Sequence, residues 1–289
     1  MQYDPIKSSL GRFFNKSPWR RKLFYRLLDI LLLRTWHVKK AIRRWAATAP
    51  EHADILDAGS GFGQYTYFLA HKHPHWSVLA VDVKTEQLED CSRFFEESGI
   101  PNAVFEYADL TKFTRNETFN MVLSVDVMEH ILDDVQVFKN LHQSMKPGAM
   151  LLVSTPSDQG GSDVHDHHKE EGYANDGSAS FVDEHVRDGY NISEIQDKLR
   201  MAGFTKTEAR YTYGWPGKIS WRLSMKYPIL MLNKSKAFII VLPFWYLLTY
   251  WFALLMNVLD VNISYKTGTG LLVKAWKERV AQRTLTNND

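Results

Sequence analysis

The stretch DILDAGSGFGQYTYFLA, residues 54–70, contains a short apolar strand, a glycine turn and a helix start in that order. Gly59, Gly61 and Gly63 allow a tight turn and let a ligand approach the backbone closely, because glycine has no Cβ. The helix that begins near Gln64 directs its unpaired amide groups towards the same place. This stretch therefore predicts a ligand-binding βα turn, with an ordinary βα connection as the alternative.

Short apolar runs and longer amphipathic stretches alternate along the rest of the chain. The predicted strands are 55–57, 78–83, 103–107, 121–124, 150–154, 205–213 and 270–275. The predicted helices between them are 64–73, 85–98, 134–145 and 192–201. Alternation of this kind predicts an α/β fold with a mostly parallel sheet that helices cover on both faces. In such sheets ligands bind beyond the carboxyl ends of the strands.

Three carboxylates accompany the glycine turn. Asp57 precedes the glycines, Asp82 ends the run VLAVDV, and Asp109 follows the third predicted strand in FEYADL. A carboxylate at the end of the second strand can accept hydrogen bonds from both hydroxyls of a ribose, and one after the third strand can accept from an exocyclic amine. These positions indicate a cofactor that contains a nucleoside.

The motifs LDAGSGFGQYT, VDV, ADL and FNMVLSVDVMEHI stand in an order that resembles the class I S-adenosylmethionine-dependent methyltransferases, in particular the small-molecule branch related to quinone biosynthesis. The resemblance covers 53–204 and resumes at GTGLLVKAW. It implies a Rossmann-like seven-stranded sheet with an antiparallel last strand, and S-adenosyl-L-methionine as cofactor. The residues that it places at the cofactor are Asp57, Ala58, Gly59, Gly61, Gly63, Asp82, Val83, Asp109, Leu110 and Val125.

Two other functions fit part of this pattern. An NAD(P)-dependent oxidoreductase also needs a glycine turn and a downstream acid, but it favours G-x-G-x-x-G, and here Gln64 occupies the sixth place. A non-catalytic scaffold could keep the cofactor fold without turnover. Nucleic-acid amino-methyltransferases carry an (N/D)-PP-(Y/F) motif after the fourth strand, where this chain has SVDVMEH, so no nucleic-acid partner is expected.

Candidate catalytic residues lie in two places. Glu129 and His130 follow the fourth predicted strand, in a pattern that resembles the metal-binding motif of quinone O-methyltransferases. Because Asp126 replaces the usual first Glu and has a shorter reach, a divalent metal is kept only as a disfavoured alternative. The alternative role of Glu129 and His130 is to line the pocket. The polar loop 160–190 holds His165, His167, His168 and His185. His185, in DEHVR, is the predicted base of that loop, and a solvated loop is the alternative.

The amino-terminal part of the chain is strongly basic. Residues 1–45 hold twelve of the 35 Lys and Arg residues and two of the 33 Asp and Glu residues. The basic and apolar residues of 12–45 predict a cationic amphipathic helix for an anionic membrane surface. A lid helix packed over the active site is the alternative.

The segment AFIIVLPFWYLLTYWFALLM, residues 237–256, is long and apolar enough to cross a bilayer. A single crossing would, however, separate the last predicted strand from its sheet. Residues 214–266 are therefore expected to leave and return on one face, as a helical hairpin in one leaflet. A dimer interface and a wall around a lipophilic substrate are the alternatives.

These observations predict four parts: a basic amphipathic segment (1–48), a methyltransferase core (49–213), a hydrophobic hairpin insertion (214–266), and the last core strand with a tail (267–289). Cys91 is the single cysteine and no signal-peptide pattern is found, which favours the cytoplasmic face of a membrane. The expected reaction is methylation of a lipophilic small molecule, such as a phenol or quinone precursor, a pigment or a lipid. O-methylation is favoured over C-methylation.

Overall fold

The computed structural model describes residues 17–160 and 186–279, in which seven strands form one sheet. The strands are β1 (Asp54–Ala58), β2 (Ser77–Asp82), β3 (Ala103–Tyr107), β4 (Phe119–Val125), β5 (Met145–Pro156), β6 (Lys206–Thr212) and β7 (Gly270–Trp276). Their order is β3-β2-β1-β4-β5-β7-β6, and β7 runs antiparallel to both of its neighbours. This topology confirms the predicted Rossmann-like sheet with an antiparallel last strand.

Helices cover both faces of this sheet. They are α1 (Pro18–Leu31), α2 (Leu33–Ala46), α3 (Gln64–Lys72), α4 (Thr85–Glu97), α5 (Asp134–Ser144), α6 (Ile192–Met201), α7 (Trp215–Trp221), α8 (Tyr227–Lys234) and α9 (Leu242–Asn262). Successive strand side chains point to opposite faces, so Ile55 packs with α2, α3 and α4 whereas Leu56 packs with α5 and α6. The side chain of Asn191 accepts a hydrogen bond from the amide of Glu194, which caps the start of α6.

The chain between β6 and β7 forms two antiparallel helical arms. The first arm runs from α7 through a π-helical turn (Arg222–Lys226) into α8, and the second arm is α9. Trp245 Nε1 donates to the carbonyl of Leu223 at 2.9 Å, and the Tyr246 hydroxyl donates to that of Ser224 at 2.9 Å. We call residues 214–266 the hairpin.

A buried polar network attaches the base of the hairpin to the rest of the fold. Asp260 is fully buried and accepts hydrogen bonds from Nε2 of His37 (2.8 Å), the amide of Tyr213 (3.1 Å) and the amide of Gly217 (3.0 Å). Arg210 donates to Nδ1 of His37 at 2.8 Å. Because an arginine can only donate, His37 carries its proton on Nε2 and is neutral. We call this set the Asp260 network.

Two helices leave rows of large apolar side chains exposed. On α9 these residues are Phe244, Leu247, Leu248, Trp251, Phe252, Leu255 and Val258. On α1 they are Trp19, Leu23, Leu27 and Ile30. Among the described residues, α9 is the one helix that is long and apolar enough to cross a membrane, judged by length and composition alone.

Candidate active site

The glycine turn, residues 59–63, lies between β1 and α3 and is fixed to the end of β2. Gly59, Gly61 and Gly63 have φ values of 83°, 50° and 72°, a region that residues with side chains rarely adopt. The amide of Gly59 donates to the carbonyl of Val81 at 2.8 Å. A Cβ at Gly59 would stand 2.3 Å from Cγ2 of Val127, whereas at Gly61 the nearest neighbouring atom would be 4.0 Å away. Gly59 therefore serves close packing, and Gly61 faces open space.

Asp82 is held directly against this turn. Its Oδ2 accepts from the amide of Gly61 at 2.9 Å, and its Oδ1 accepts from the amide of Lys84 at 3.0 Å. A carboxylate offers about four lone-pair sites, so about two remain for further donors. The structure brings the predicted ribose acid and the glycine turn together. The binding of ribose hydroxyls itself stays a prediction.

Asp57 lies deeper in the fold than the other two predicted acids. Its carboxylate is buried in β1 and accepts from the Thr66 hydroxyl at 2.6 Å. Burial raises the pKa of Asp57 to about 6, although the Thr66 hydrogen bond acts in the opposite direction. Asp57 thus fixes the first turn of α3 behind the glycine turn, and the neighbouring Ala58 is buried as well. A contact of Asp57 with the methionine part of the cofactor stays a prediction.

The residues predicted for the adenine side lie at the ends of the next strands. Oδ1 of Asp109 accepts from the hydroxyl of Thr111 at 2.7 Å and from its amide at 2.9 Å, and these bonds lower the pKa of the Asp109 carboxyl. Leu110 is buried, while Val83 beside Asp82 is 55% exposed. An exposed apolar side chain there offers a surface for a planar base. Val125 ends β4 and is half-buried.

Helix α1 packs on the glycine turn with one of its basic residues. The Arg21 side chain is buried and donates to the carbonyls of Asp90 and Phe62, each at 3.0 Å. The Tyr25 hydroxyl also donates to the carbonyl of Phe62. The sequence counted Arg21 with the membrane-directed charge, but the structure places it inside the protein. This contact supports the lid interpretation for the inner face of α1.

A cavity of about 350 Å³ opens beyond the carboxyl ends of β4, β5 and β6. Helices α2 and α7 complete its wall, and the lining includes Arg34, Asp126, Thr155, Tyr213, Lys218 and Trp221. Strands β1 and β4 are neighbours at the centre of the sheet, where the strand order changes direction. The glycine turn and the cavity therefore occupy the two sides of the topological switch point, where ligands bind in open α/β sheets.

Two residues of the cavity wall have unusual backbone conformations. Asp126 has a φ of 53° and Tyr213 a φ of 56°, and Glu117 is the one other described non-glycine residue with a positive φ. Strained residues of this kind concentrate at functional sites. Arg34 connects the two, because its guanidinium pairs with the Asp126 carboxylate and its amide donates to the Tyr213 hydroxyl at 2.9 Å. Burial raises the pKa of Tyr213 to about 12, so its hydroxyl is protonated at neutral pH.

Of the predicted catalytic residues, Glu129 and His130 do not line the cavity. Glu129 is buried behind Thr155, whose hydroxyl donates to it at 3.0 Å, and burial raises the pKa of the Glu129 carboxyl. His130 ends a short 3-10 helix, Met128–His130, and is half-buried. His185 lies outside the described residues, as do the other three histidines of its loop. Asp126, from the same motif as Glu129, does line the cavity.

Sequence reasoning missed four wall residues, namely Arg34, Tyr213, Lys218 and Trp221. Arg34 looked like one more surface charge of the basic segment. Tyr213 and Lys218 stand on either side of the start of the hairpin. Their position next to the end of a predicted strand is the feature of the sequence that could have indicated a place at the site. Within 17–160 and 186–279, no group of three or more His, Cys, Asp and Glu residues is arranged to hold a metal ion.

Comparison with known proteins gives matches to the central part of the chain. Residues 55–148 match the family described as methyltransferase domain. Trans-aconitate 2-methyltransferase of Deinococcus radiodurans is 27% identical over 123 residues, covering 42% of this chain and 43% of that protein. The ubiquinone biosynthesis O-methyltransferase of Rickettsia canadensis is 26% identical over 102 residues, or 35% and 42% of the two chains.

The structural comparison reaches further along the chain. The S-adenosyl-L-methionine complex of Haemonchus contortus phosphoethanolamine N-methyltransferase 2 aligns with a TM-score of 0.56 and 18% identity, covering 84% of this chain and 53% of that one. The chain spans less than half the length of these two curated relatives. The methyltransferase match favours the resemblance seen in the sequence over the oxidoreductase alternative. The match to the methyltransferase domain ends at residue 148, so it does not include β6 and α7, which form part of the cavity wall.

Proposed function

We propose that this chain, whose central part is a class I S-adenosylmethionine-dependent methyltransferase domain, transfers the methyl group of that cofactor to a lipophilic small molecule. The observation that carries the proposal is the hydrogen bond between Asp82 and the Gly61 amide, which joins the predicted ribose acid to the glycine turn. A phenol or quinone precursor, a pigment or a lipid is the proposed acceptor. O-methylation is preferred over C-methylation.

The residues around the turn and the cavity divide the work of the reaction. S-adenosylmethionine supplies an already activated methyl group, so the protein has to orient the two reactants and keep water away. The glycine turn, Asp82 and Asp109 would hold the cofactor at the β1 to β3 half of the sheet. The cavity would hold the acceptor at the β4 to β6 half, with its reactive atom near Asp126.

An oxygen acceptor must also lose a proton, which calls for a base near the cavity. The Asp126 carboxylate lines the cavity and is paired with Arg34. Glu129 reaches the wall through the Thr155 hydroxyl, and the burial that raises its pKa favours its protonated form. His130 and His185 remain the bases proposed from the sequence.

The exposed apolar rows of α1 and α9 support a membrane partner and a lipophilic acceptor. The Tyr250 hydroxyl of α9 donates to the carbonyl of Ile30 on α1 at 3.2 Å, so the two helices meet. Helix α7, which walls the cavity, belongs to the same hairpin. We infer that the hairpin and α1 lie in the cytoplasmic leaflet of a membrane, and that the acceptor enters the cavity from there. A homodimer that buries α9 is the second candidate use of this surface.

Calorimetric titration of S-adenosylmethionine tests the cofactor site. In the Asp82→Ala variant, up to two charge-assisted hydrogen bonds to the ribose are lost, so we expect affinity to fall at least about tenfold. Asp197→Ala, an exposed acid on α6, is the matched control and keeps the wild-type affinity. Equal affinities in the two variants would contradict the ribose assignment. Transfer of tritiated methyl to a membrane extract separates the enzyme from a non-catalytic scaffold, which binds the cofactor but labels nothing.

Vesicle flotation tests the membrane surface. Leu248 and Trp251 are 81% and 70% exposed on the outer row of α9, so the double variant Leu248→Glu/Trp251→Glu should stay unbound while its cofactor affinity is unchanged. Val104→Glu places a charge on an exposed apolar residue of β3 and serves as the control. If the double variant still floats, α9 is not the membrane contact. If it instead changes from dimer to monomer in light scattering, α9 is a subunit interface.

A further inference from the structure

The wall of the cavity that the hairpin forms contains two basic residues. Lys218 on α7 and Arg222 at the start of the π-helical turn are four residues apart, so they project from one side of the same helical arm. Both line the cavity and both are exposed. Arg34, a third cation of the lining, is already paired with Asp126, the one acidic residue among the lining residues that the structure describes. Among the lining residues that the structure describes, the hairpin therefore contributes two cations and no acid.

Lys218 has no acidic partner that would offset its charge: within the described ranges, no carboxylate oxygen lies within 4.0 Å of its ammonium nitrogen. The buried hydroxyl of Thr212 lines the same space and can donate, whereas that of Thr155 already donates to Glu129. The Tyr213 hydroxyl adds another donor, because its raised pKa keeps it protonated. Two cations together with hydroxyl donors form the set of contacts that suits a phosphate group.

We infer that the methyl acceptor carries a phosphate group, which Lys218 and Arg222 bind at the hairpin side of the cavity. This inference rests on the proposed function, because it names the acceptor of the same site. With the phosphate held there, the other end of the acceptor points past Asp126 towards the glycine turn, where the methyl donor would lie. The phosphate is supplied either by the head group of a lipid in the membrane or by a soluble phosphate ester.

Calorimetric titration of the full-length protein with inorganic phosphate tests the binding set. Loss of one charged donor in Lys218→Ala or Arg222→Ala should weaken phosphate binding about tenfold, whereas Lys218→Arg should keep most of it. Lys139→Ala, an exposed lysine on α5 outside the cavity, should bind phosphate as the wild type does. Equal phosphate affinity in wild type and Lys218→Ala, or the absence of any binding to wild type, would overturn the inference.

A second pair of probes distinguishes the two sources of phosphate. Flotation with phosphatidic acid vesicles that depends on Lys218, compared with vesicles of phosphatidylcholine alone, assigns the lipid head group. Saturable binding of glycerol 3-phosphate that depends on Lys218, without a change in flotation, assigns a soluble ester. If Lys218→Ala behaves as the wild type in both arms, the inference fails.

S-adenosylmethionine is titrated into the same samples to keep the two proposals apart. Unchanged cofactor affinity in Lys218→Ala, with lost phosphate binding, supports the phosphate site on its own. A wild-type protein that binds no cofactor would refute the proposed function, and the phosphate titration would then still report on the cavity.

Discussion

Replacing Asp260 should detach the base of the hairpin from the sheet and α2. This carboxylate is fully buried and accepts three hydrogen bonds, from the His37 ring and from the amides of Tyr213 and Gly217. Asp260→Ala leaves those three donors without a partner. It also removes the negative charge that lies near Arg210. The substitution therefore weakens the attachment of α2, β6 and α7 to one another.

The structure sets the size of this effect. A buried donor that loses its acceptor costs about 1–3 kcal/mol, and removing one member of a buried charged network costs about 3–5 kcal/mol. Three donors at the low end of the first range give about 3 kcal/mol, so we expect Asp260→Ala to lower the free energy of unfolding by about 3–5 kcal/mol. Asp260→Asn keeps the shape but turns one oxygen into a donor. It should therefore cost about 1–3 kcal/mol, the value for one unsatisfied amide.

Urea unfolding followed by tryptophan fluorescence measures the loss, because four of the nine tryptophans lie in the hairpin (Trp215, Trp221, Trp245 and Trp251). Hydrogen exchange locates it: the amides of Tyr213 and Gly217 should exchange faster, and those of β1 and β4 should change least. Asp197→Ala is the control for loss of an acid. An unchanged unfolding midpoint in Asp260→Ala, with unchanged exchange at these two amides, would refute the role of the network.

Three further predictions concern buried groups. His37 is neutral in the fold and burial lowers its pKa below the ordinary 6.5, so its stabilising contribution is complete above about pH 6.5 and decreases as the pH falls from there towards the lowered value. In urea titrations at several pH values, the His37→Gln variant should lose this part of the pH dependence of the unfolding free energy. The same pH dependence in variant and wild type would contradict the prediction. Gly59→Ala places a Cβ 2.3 Å from Cγ2 of Val127 at a φ of 83°, which should cost about 1–3 kcal/mol in thermal unfolding. Adding Val127→Ala should restore part of that loss, and no recovery would exclude the steric cause. Asn257 is buried, and neither polar atom of its side chain makes a hydrogen bond to a described residue. Asn257→Leu should therefore raise the free energy of unfolding by about 1–3 kcal/mol. A lower free energy of unfolding in this variant would show that the side-chain amide has a partner.

The sequence predicted the sheet well because each strand carries its own local signal. The largest difference is at β5, which was predicted over 150–154 and begins at Met145. Pro147 and Gly148 are residues typical of a turn. In the structure Met145 pairs with Phe119, and the register shifts before Met150 pairs with Met121. The strand thus passes through an irregularity with Gly148 at a φ of 83°, which local propensity cannot distinguish from a turn.

The glycine turn could be predicted from the sequence, whereas the cavity could not. The contact between Gly61 and Asp82 joins the ends of two neighbouring strands, so strand order was enough to predict it. The cavity joins Arg34, Asp126 and Lys218, which are far apart in the chain and share no motif. The burial of Arg21 was missed for a similar reason. Its hydrogen-bond acceptors are backbone carbonyls, which every residue has, so the sequence does not indicate where they are.

The geometry of the hairpin restricts how it can meet a bilayer. Its two ends are adjacent, since Thr212 pairs with Gly270 in the sheet, so both arms must enter and leave on one side. If α9 stood upright across the hydrocarbon, the antiparallel first arm would stand beside it and carry Arg222 and Lys226 into the membrane, at a cost of about 2.5–3.5 kcal/mol for each charge near the centre. An arrangement in the plane of one leaflet avoids that cost, because the exposed apolar row of α9 can face the acyl chains while the two cations remain at the head groups. The same orientation keeps the cavity, which α7 walls, at the membrane surface, where a phosphate-bearing lipid would present its head group.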